Sequence, residues 1–161
     1  MRINQDDRDQ IVEQYADMVW RIALSRTRRE EAAEEVFQET FLRLFQKERT
    51  FNDENHRKAW IIRATLLCCK SYISASFRHA TLSLEEVSAS LAIPEEKAGL
   101  YEAMLKLPAK YRLPIQLYYI EGIDAGTCAK ALELRPGTFR ARLSRGRTML
   151  RELLKGEDIY V

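Results

Sequence analysis

The sequence LPAKYRLPIQLYYIEGIDAGTCAKALELRPGTFRARLSRGRTMLRELL, residues 107–154, predicts a helix-turn-helix whose last helix is rich in arginine. That helix begins at Pro136, a residue suited to the first helical position because its missing N–H has no intrahelical partner there. Asp124 can cap a short preceding helix over 125–132, and a turn at Glu133 joins the two helices. Apolar residues recur along the last helix at the spacing of one buried face: Phe139, Leu143, Gly146, Leu150, Leu153 and Leu154.

Positive charge is concentrated in the same helix. The whole chain has a formal net charge of only +2, yet residues 135–155 hold seven Lys or Arg against one Glu. A basic second helix in this motif is typical of proteins that place it in the DNA major groove. Arg135 and Thr138, at its start, are expected to reach base edges. Four further arginines are expected to contact phosphates: Arg140, Arg142, Arg145 and Arg147. A solvated basic helix is the simpler alternative.

The first eighty residues predict three further helices. Apolar residues recur at helical spacing over 11–28, 30–47 and 57–77. Acidic residues open the second helix and basic residues close the first, which suits the helix dipole. On this interpretation the core includes four large apolar residues: Phe41, Phe45, Trp60 and Leu67.

A change of composition separates two domains. Residues 81–96, TLSLEEVSASLAIPEE, are rich in serine and acidic residues and hold no basic residue, which indicates a linker. Pro94 then opens the next helix. The prediction is an all-α chain with two small helical domains, 1–80 and 97–161, joined by this linker.

Other classes of protein fit the sequence poorly. The chain has no run of about twenty apolar residues, and its polar start, MRINQDDRDQ, does not resemble a signal peptide. We therefore expect a cytoplasmic protein without membrane insertion. Cys68, Cys69 and Cys128 lack paired metal spacing and are expected to be reduced, buried thiols. Nucleophile motifs and phosphate loops are absent, so we expect no catalytic site, no metal site, no cofactor and no enzyme activity.

Residues 121–154 resemble region 4 of the bacterial sigma factors, in particular the extracytoplasmic-function group. The matching residues are Glu121-Gly122, Ala129, Leu132, Phe139-Arg140, Arg142-Leu143 and Ser144-Arg145-Gly146-Arg147. Thr127 stands where the family usually has glutamate, Glu133 replaces the turn glycine, and Arg135 replaces a small N-cap. The resemblance implies that this helix reads the minus-thirty-five promoter element.

Residues 32–46, AAEEVFQETFLRLFQ, are similar to the region 2 signature of the same family. That signature is an acidic pair followed by an apolar residue, Gln, Glu, an apolar residue and Phe. In the family this helix docks on the clamp coiled coil of the largest RNA polymerase subunit. The resemblance implies that Gln38, Glu39 and Arg43 make those contacts.

Residues 56–73, HRKAWIIRATLLCCKSYI, are similar to the family helix that reads and opens the minus-ten element together with the loop before it. Opening a duplex requires that an unpaired base be held outside the stack, which polar, aromatic and cationic groups can do. Leu67 and Ser71 stand where many relatives carry asparagine and aspartate. The residues implied in minus-ten binding are Asn52, Asn55, His56, Arg57, Lys58, Arg63 and Lys70.

Together these resemblances imply a sigma factor that directs promoter-specific transcription initiation. Its implied partners are core RNA polymerase, promoter DNA and an anti-sigma factor. Two alternatives stay open. One is a stand-alone helix-turn-helix regulator, which would bind an operator as a dimer without polymerase. The other is a sigma-derived helical interaction protein that does not initiate transcription, which is suggested by the departures at Leu67, Ser71, Thr127 and Glu133.

Overall fold

The computed structural model describes residues 5–74, 81–91 and 93–156, and all regular secondary structure in those ranges is helical. The predicted all-α fold is therefore confirmed. The chain divides into two compact units, Met1–Ser83 and Leu84–Val161. The break between them falls inside the predicted linker, residues 81–96.

The first unit is a bundle of three helices that pack against one another pairwise. They are α1 Gln5–Thr27, α2 Glu30–Gln46 and α3 Glu54–Ser74. Each contributes an apolar stripe to one core, and its fully covered members include Val19, Ile22, Ala33, Val36, Leu44, Ile61 and Ile62. Burial of such side chains is the main stabilising contribution in a bundle of this size.

The third helix begins earlier than its apolar pattern predicts. Asp53 accepts a hydrogen bond from the His56 N–H at 2.8 Å, which is the side-chain bond of an N-cap residue. Helix α3 therefore starts at Glu54, and Asn55 and His56 lie in its first turn rather than in a loop. At its other end, residues 75–77 of the predicted helix lie outside the described residues.

The corner between α1 and α2 is held by Arg28, whose backbone is left-handed at φ 55°. Its N–H donates to the Leu24 carbonyl at 2.8 Å and so closes α1. Its carbonyl accepts from the Leu82 N–H at 2.7 Å, and its Nη2 donates to the Leu82 carbonyl at 3.1 Å. These two bonds tie the end of the first unit to its first corner.

The second unit contains α4 Leu84–Ser90, α5 Glu95–Leu105, α6 Ala109–Ile115, a π-helical turn Gln116–Ile120, α7 Ala125–Ala131 and α8 Pro136–Leu153. Helix α8 packs against α6 and α7, and α5 contacts both α6 and α8. The predicted linker thus includes a short helix, α4, whose Val87 is fully buried. The serine-rich, acidic composition of residues 81–96 did not predict that Val87 would be buried.

The turn between α7 and α8 adopts the conformation expected of a helix-turn-helix. Glu133 is left-handed, φ 55°, at the position where the family usually has glycine. A non-glycine residue in this conformation costs about 1 kcal/mol. The Leu134 N–H donates to the Ala129 carbonyl at 2.8 Å, which closes α7. The turn therefore keeps its geometry in spite of the substitution.

Asp124 caps α7 as predicted. Its carboxylate accepts hydrogen bonds from the Thr127 N–H at 3.3 Å and from the Thr127 hydroxyl at 2.8 Å. Thr127 is 4% exposed, so the residue that replaces the family's glutamate belongs to the cap of this helix rather than to an outer surface. The difference between Thr127 and the family's usual glutamate therefore affects the capping of α7.

The apolar stripe of α8 is confirmed at Phe139, Leu143, Gly146 and Leu150, which are all buried. Leu154 is also buried, but Leu153 is 45% exposed, so its predicted place in the stripe is wrong. Helix α8 ends at Leu153, and the chain turns there.

Three of the four large residues predicted in the first unit's core lie closer to its surface. Phe41 is buried as predicted, at 6% exposure. Phe45 and Trp60 are only half-buried. Leu67 is 42% exposed. These three side chains border depressions on the outside of the bundle, because α2 and α3 each bury only one face against their two neighbours.

All three cysteines are free and buried, as predicted. Burial raises the pKa of Cys69 to about 12 from its ordinary value of 9.0, in spite of the nearby Arg26 guanidinium, which lowers it. Burial likewise raises the pKa of Cys128 to about 12. Both thiols therefore stay neutral in the folded chain at pH values where a solvated thiol would ionise.

This shift predicts that the first unit loses stability in alkali through Cys69. Because the pKa is raised in the folded state, the stabilising effect is complete below pH 9 and is lost as pH rises toward 12. Between pH 8 and pH 10 the loss is about 1 kcal/mol, since one pKa unit corresponds to about 1.4 kcal/mol. Both tryptophans, Trp20 and Trp60, belong to the first unit, so their fluorescence follows its unfolding in urea.

The control for this measurement is the Cys69→Ala variant, which lacks the ionisable group. All other ionisable groups are the same in both proteins, so the quantity to compare is the difference in unfolding free energy between them. We expect wild type to lose about 1 kcal/mol more than the variant over this interval. Parallel pH profiles would contradict the assignment.

Candidate nucleic-acid interface and docking surface

The outer face of α8, opposite its buried stripe, is made of small residues. Gly137, Ala141, Ser144 and Thr148 follow one another along this line at helical spacing, and all four are exposed. A helix with short side chains on its outer line can approach another surface closely with its backbone.

Longer cationic side chains stand on both edges of this line. Positions 140, 147 and 151 fall on one edge, where Arg147 bonds Tyr119 of the π-helical turn, and positions 142 and 145 fall on the opposite edge together with Thr138. Arg142 and Arg147 are half-buried, whereas Arg140, Arg145 and Arg151 are exposed. The helix therefore presents a low central ridge with positive charge on either side, a shape suited to a groove walled by phosphates.

The start of α8 is open to contact. Arg135 is the N-cap residue but makes no side-chain capping bond, and it is exposed. Pro136, Gly137 and Thr138 follow it, and all three are also exposed. The predicted base-reading residues Arg135 and Thr138 thus lie together at one end of the helix.

A tyrosine pair on the π-helical turn completes this surface and was not identified from the sequence. The Tyr119 hydroxyl accepts a hydrogen bond from Arg147 Nη1 at 3.0 Å. Tyr118 packs edge-on against Tyr119, with ring centroids 5.0 Å apart. The two rings are 38% and 41% exposed. The only sequence signal was two adjacent aromatic residues near a helix end.

In the first unit, three of the residues implied in minus-ten binding share one face of α3. His56, Arg63 and Lys70 are seven residues apart in succession and are exposed. His56 also holds the preceding loop, since its Nδ1 accepts the Asn52 N–H at 3.0 Å. Asn55 lies to the side of this face.

Arg57 and Lys58 do not belong to that face. Arg57 is 9% exposed, and its guanidinium lies 5.6 Å from the centre of the Tyr15 ring. Burial raises the pKa of the Tyr15 phenol, and Arg57 acts against that shift. Arg57 is thus enclosed in the bundle, apart from the exposed cations of α3, and its phosphate contact stays a prediction that its burial does not favour. Lys58 is half-buried on the side of α3 opposite the His56 face.

A groove lies between the end of α2 and this face of α3. We call it the α2–α3 groove. It has a volume of about 640 Å³ and is lined by Arg43, Gln46, Lys47, Arg49, Trp60, Arg63, Ala64 and Leu67. Its walls thus combine four cations, one indole ring and an exposed aliphatic side chain, and none of the lining residues is acidic.

Arg49 covers the aromatic wall of the groove. Its guanidinium lies 4.2 Å from the centre of the Trp60 ring, and its Nη2 donates to the Arg43 carbonyl at 3.0 Å. Phe51 packs edge-on against Trp60 at 6.3 Å and against His56 at 5.2 Å. The guanidinium therefore occupies one face of the indole as a cation–π partner. Sequence reasoning missed Lys47 and Arg49 because they follow α2 outside any motif.

The residues implied in polymerase binding lie on the outer face of α2. Gln38 and Arg43 are exposed, and Arg43 Nη2 donates to Glu39 Oε1 at 2.8 Å. Beside them stands Leu42, which is 70% exposed. A shallow depression of about 550 Å³ surrounds it, lined by Arg8, Glu39, Leu42, Arg43, Phe45 and Gln46. We call this the α2 outer surface.

Leu42 and Phe45 make this surface partly apolar. The Arg8 guanidinium lies 5.3 Å from the Phe45 ring centre, so the ring has a cationic border. An exposed ion pair such as Arg43 with Glu39 contributes little to folding. An apolar centre with a polar rim is typical of a protein-binding surface. Leu42 could have been found from the sequence, since it stands outside the buried stripe of α2.

Residues 5–74, 81–91 and 93–156 contain neither a membrane-spanning helix nor a metal-binding cluster. No helix there combines the length and the apolar character that crossing a lipid bilayer requires. The same ranges hold no group of three or more His, Cys, Asp or Glu side chains placed to bind a metal ion.

Comparisons with known proteins agree with this arrangement of two units. Residues 11–78 match the family Sigma-70 region 2, and residues 97–150 match Sigma-70, region 4. Among solved structures, CnrH in complex with the cytosolic domain of CnrY shares the fold at a TM-score of 0.70 and 24% identity, covering 96% of this chain and 92% of that one. The sigma factor RpoE in complex with the anti-sigma factor NepR from Bartonella quintana gives 0.71 and 23%, covering 93% and 98%.

Relatives by sequence carry the same assignment. The ECF RNA polymerase sigma factor SigE of Mycolicibacterium smegmatis is 30% identical over 157 residues, which cover 91% of this chain and 61% of that protein. The probable RNA polymerase sigma factor RfaY of Xanthomonas campestris is 32% identical, covering 93% and 41%. Bacillus subtilis SigM is 24% identical, covering 90% and 93%. The chain thus spans less than two thirds of the first two relatives and nearly all of the third. With both sigma regions matched in order, the chain belongs to the extracytoplasmic-function group of the sigma-70 family.

Proposed function

We propose that this chain is a sigma factor that binds core RNA polymerase and directs it to start transcription at a particular set of promoters. One observation carries the proposal: sigma regions 2 and 4 occur in order in one chain, and each is built around an exposed surface of the required chemistry. Its proposed partners are core polymerase, promoter DNA and an anti-sigma factor. Core polymerase and promoters are cytoplasmic, so we place its action there, in a binding role rather than an enzymatic one.

Helix α8 would bind the minus-thirty-five element in the major groove. Its central line of small residues allows the backbone to enter the groove, and the arginines on both edges can reach the phosphates of the two walls. Arg135 and Thr138, at the exposed start of the helix, are the residues suited to reading base edges. This division of roles predicts that the arginines determine affinity and that the first turn determines sequence preference.

The α2–α3 groove would receive an unpaired base of the minus-ten element. When the Arg49 guanidinium moves off the Trp60 ring, the indole face can stack on a base, and Arg63, Lys47 and Arg49 can neutralise the adjoining phosphates. Leu67 contributes an exposed apolar wall instead of the amide that many relatives have there. We infer that this protein reads the captured base by apolar contact and shape at that position. His56 and Lys70 extend the cationic face along α3.

The α2 outer surface would dock on the polymerase. Its apolar centre, Leu42, is bordered by Glu39 and Arg43, and Gln38 is exposed one turn earlier on the same helix, so that these polar side chains can form the rim of an interface. This surface lies on the outer side of α2, which neither α1 nor α3 covers. Promoter opening in the groove and polymerase binding on α2 would therefore use adjacent faces of one rigid bundle.

The test is run-off transcription with core polymerase of the source organism and a library of that organism's promoters. We expect core enzyme to start at a defined subset only when the chain is present. If core binds the chain but does not initiate, the interaction-protein alternative is favoured. If core does not bind and the chain alone shifts duplex DNA as a dimer, the stand-alone regulator is favoured.

Thr138→Ala is expected to weaken initiation at that subset by about fivefold, since one base contact is lost from the start of α8. Thr148→Ala is the matched control, because Thr148 is exposed on the same helix but lies ten residues farther from the base-reading end. The readout is the change in promoter preference between the two variants. Equal effects of both substitutions would contradict the role given to Thr138.

A further inference from the structure

The hydrogen bond between Tyr119 and Arg147 joins the supporting helix to the basic helix at the edge of the α8 surface. Arg147 Nη1 donates to the Tyr119 hydroxyl at 3.0 Å. Both side chains reach solvent: the tyrosine is 41% exposed and the arginine is half-buried. We propose that Tyr119 and Arg147 together bind one phosphate of the DNA backbone, so that the π-helical turn is a second DNA-contacting element. The inference rests on the DNA-binding role proposed for α8.

The hydrogen-bond donors that Tyr119 and Arg147 do not use on each other favour an anion as the ligand of this pair. Tyr119 uses its oxygen as an acceptor, and among the described residues its own O–H has no acceptor. Arg147 uses one N–H of its guanidinium and, within the same ranges, has no carboxylate partner. A guanidinium carries five N–H donors, and a phosphate offers several acceptor oxygens to them. One tetrahedral oxyanion can therefore accept from Arg147 and from the Tyr119 hydroxyl at once.

The position of the pair favours DNA as the source of that phosphate. Arg147 lies on the edge of α8 that also carries Arg140, two turns earlier, and Arg151, one turn later. A row of cations parallel to the helix suits a row of backbone phosphates. Tyr119 enters this row from the side, and Tyr118 supports its ring edge-on with centroids 5.0 Å apart. The tyrosine thus holds one arginine of the row in place while its hydroxyl faces the same surface.

The hydrogen bond also reduces the ordering that binding requires. A free arginine side chain loses considerable rotamer freedom when it is fixed on a phosphate. Arg147 is already held by Tyr119 in the free protein, so less freedom remains to be lost. Removing only the tyrosine hydroxyl should therefore weaken the phosphate contact without removing any charge.

The test measures binding of the full chain to a short mixed-sequence DNA duplex at several salt concentrations. Phosphate contacts are independent of sequence, so no promoter is needed. Arg147→Ala is expected to lower affinity about tenfold and to reduce the slope of log affinity against log salt by about one. Tyr119→Phe is expected to lower affinity about fivefold with the slope unchanged, because a neutral donor displaces no counterion.

Tyr118→Phe is the matched control, since it removes a hydroxyl from the neighbouring tyrosine of similar exposure, and it should leave affinity unchanged. The double variant of Tyr119→Phe and Arg147→Ala should lose about tenfold, not the fiftyfold expected of two independent contacts. Equal behaviour of the two tyrosine variants, or an additive double variant, would overturn the shared phosphate site.

Failure here is distinguishable from failure of the proposed function. If wild type binds duplex DNA and Arg147→Ala weakens it while Tyr119→Phe does not, only the tyrosine's role is overturned, and initiation in the run-off assay can still stand. If the coupled effects appear but the run-off assay fails, the phosphate site stands without the sigma activity. A wild-type chain that binds no duplex at low salt overturns the phosphate site, and the binding of acidic protein segments by the same pair would then explain its exposure.

Discussion

Leu42→Asp is expected to lower the affinity of the chain for core RNA polymerase by about a hundredfold, as substitutions at the centre of an interface commonly do. Leu42 is 70% exposed at the middle of the α2 outer surface, so a partner that covers Gln38, Glu39 and Arg43 also covers this side chain. Aspartate would leave a charge in the desolvated centre of the contact, and such a charge is costly without a partner. Binding is measured with labelled chain and purified core enzyme.

The control for this variant is Leu67→Asp, which places the same charge on an exposed leucine of the α2–α3 groove. We expect this variant to bind core normally and to open promoters poorly. Because both leucines are exposed, both variants should melt at the wild-type temperature. A Leu42→Asp variant that binds core as wild type does would exclude Leu42 from the interface.

Gly146→Leu is expected to destabilise the second unit by about 3 kcal/mol or more, the cost of overpacking a close helix contact. A Cβ at Gly146 would lie 3.0 Å from Ile115 Cγ1 and 3.1 Å from the Tyr111 carbonyl oxygen. The second of these neighbours is backbone, so α8 would have to move away from α6. Phe139 and Leu143 would then lose part of their packing. Loss of helix by circular dichroism, with unchanged tryptophan fluorescence from the first unit, measures the effect.

Gly137→Leu is the matched control in the same helix. A Cβ at Gly137 meets nothing within 4 Å, and the residue is exposed in the first turn of α8. Leucine is a better helix former than glycine, so this variant should be as stable as wild type or slightly more so. If both leucine variants unfold the second unit equally, the close approach of α6 and α8 is not the cause.

The sequence alone determined the fold class and the order of the long helices, but not the short helix α4 within the predicted linker. Helical spacing of apolar residues identified the buried stripe of α8 at Phe139, Leu143, Gly146 and Leu150, and local chemistry identified Asp124 as a cap and Glu133 as the turn residue. These features depend on neighbours within a few positions, which is the range that a sequence pattern records. The family resemblance is likewise confirmed by the matches to regions 2 and 4.

The candidate sites were predicted less completely. The sequence identified the arginines of α8 and the polar residues of α2, because each set lies on one helix with a fixed period. It did not find Tyr119, Arg49 or Leu42. Tyr119 and Arg49 act across helices or from a loop, where no periodicity applies. Leu42 could have been found, since its position off the apolar stripe was visible.

Only the tertiary structure decided which side chains are covered. Trp60 and Leu67 have apolar side chains and Arg57 has a charged one, yet the first two border an open groove and the third is enclosed beside Tyr15. A helical period states which residues share a face but not which neighbour covers that face. The coverage depends on how α1, α2 and α3 pack, and that packing is fixed by contacts between residues far apart in the sequence.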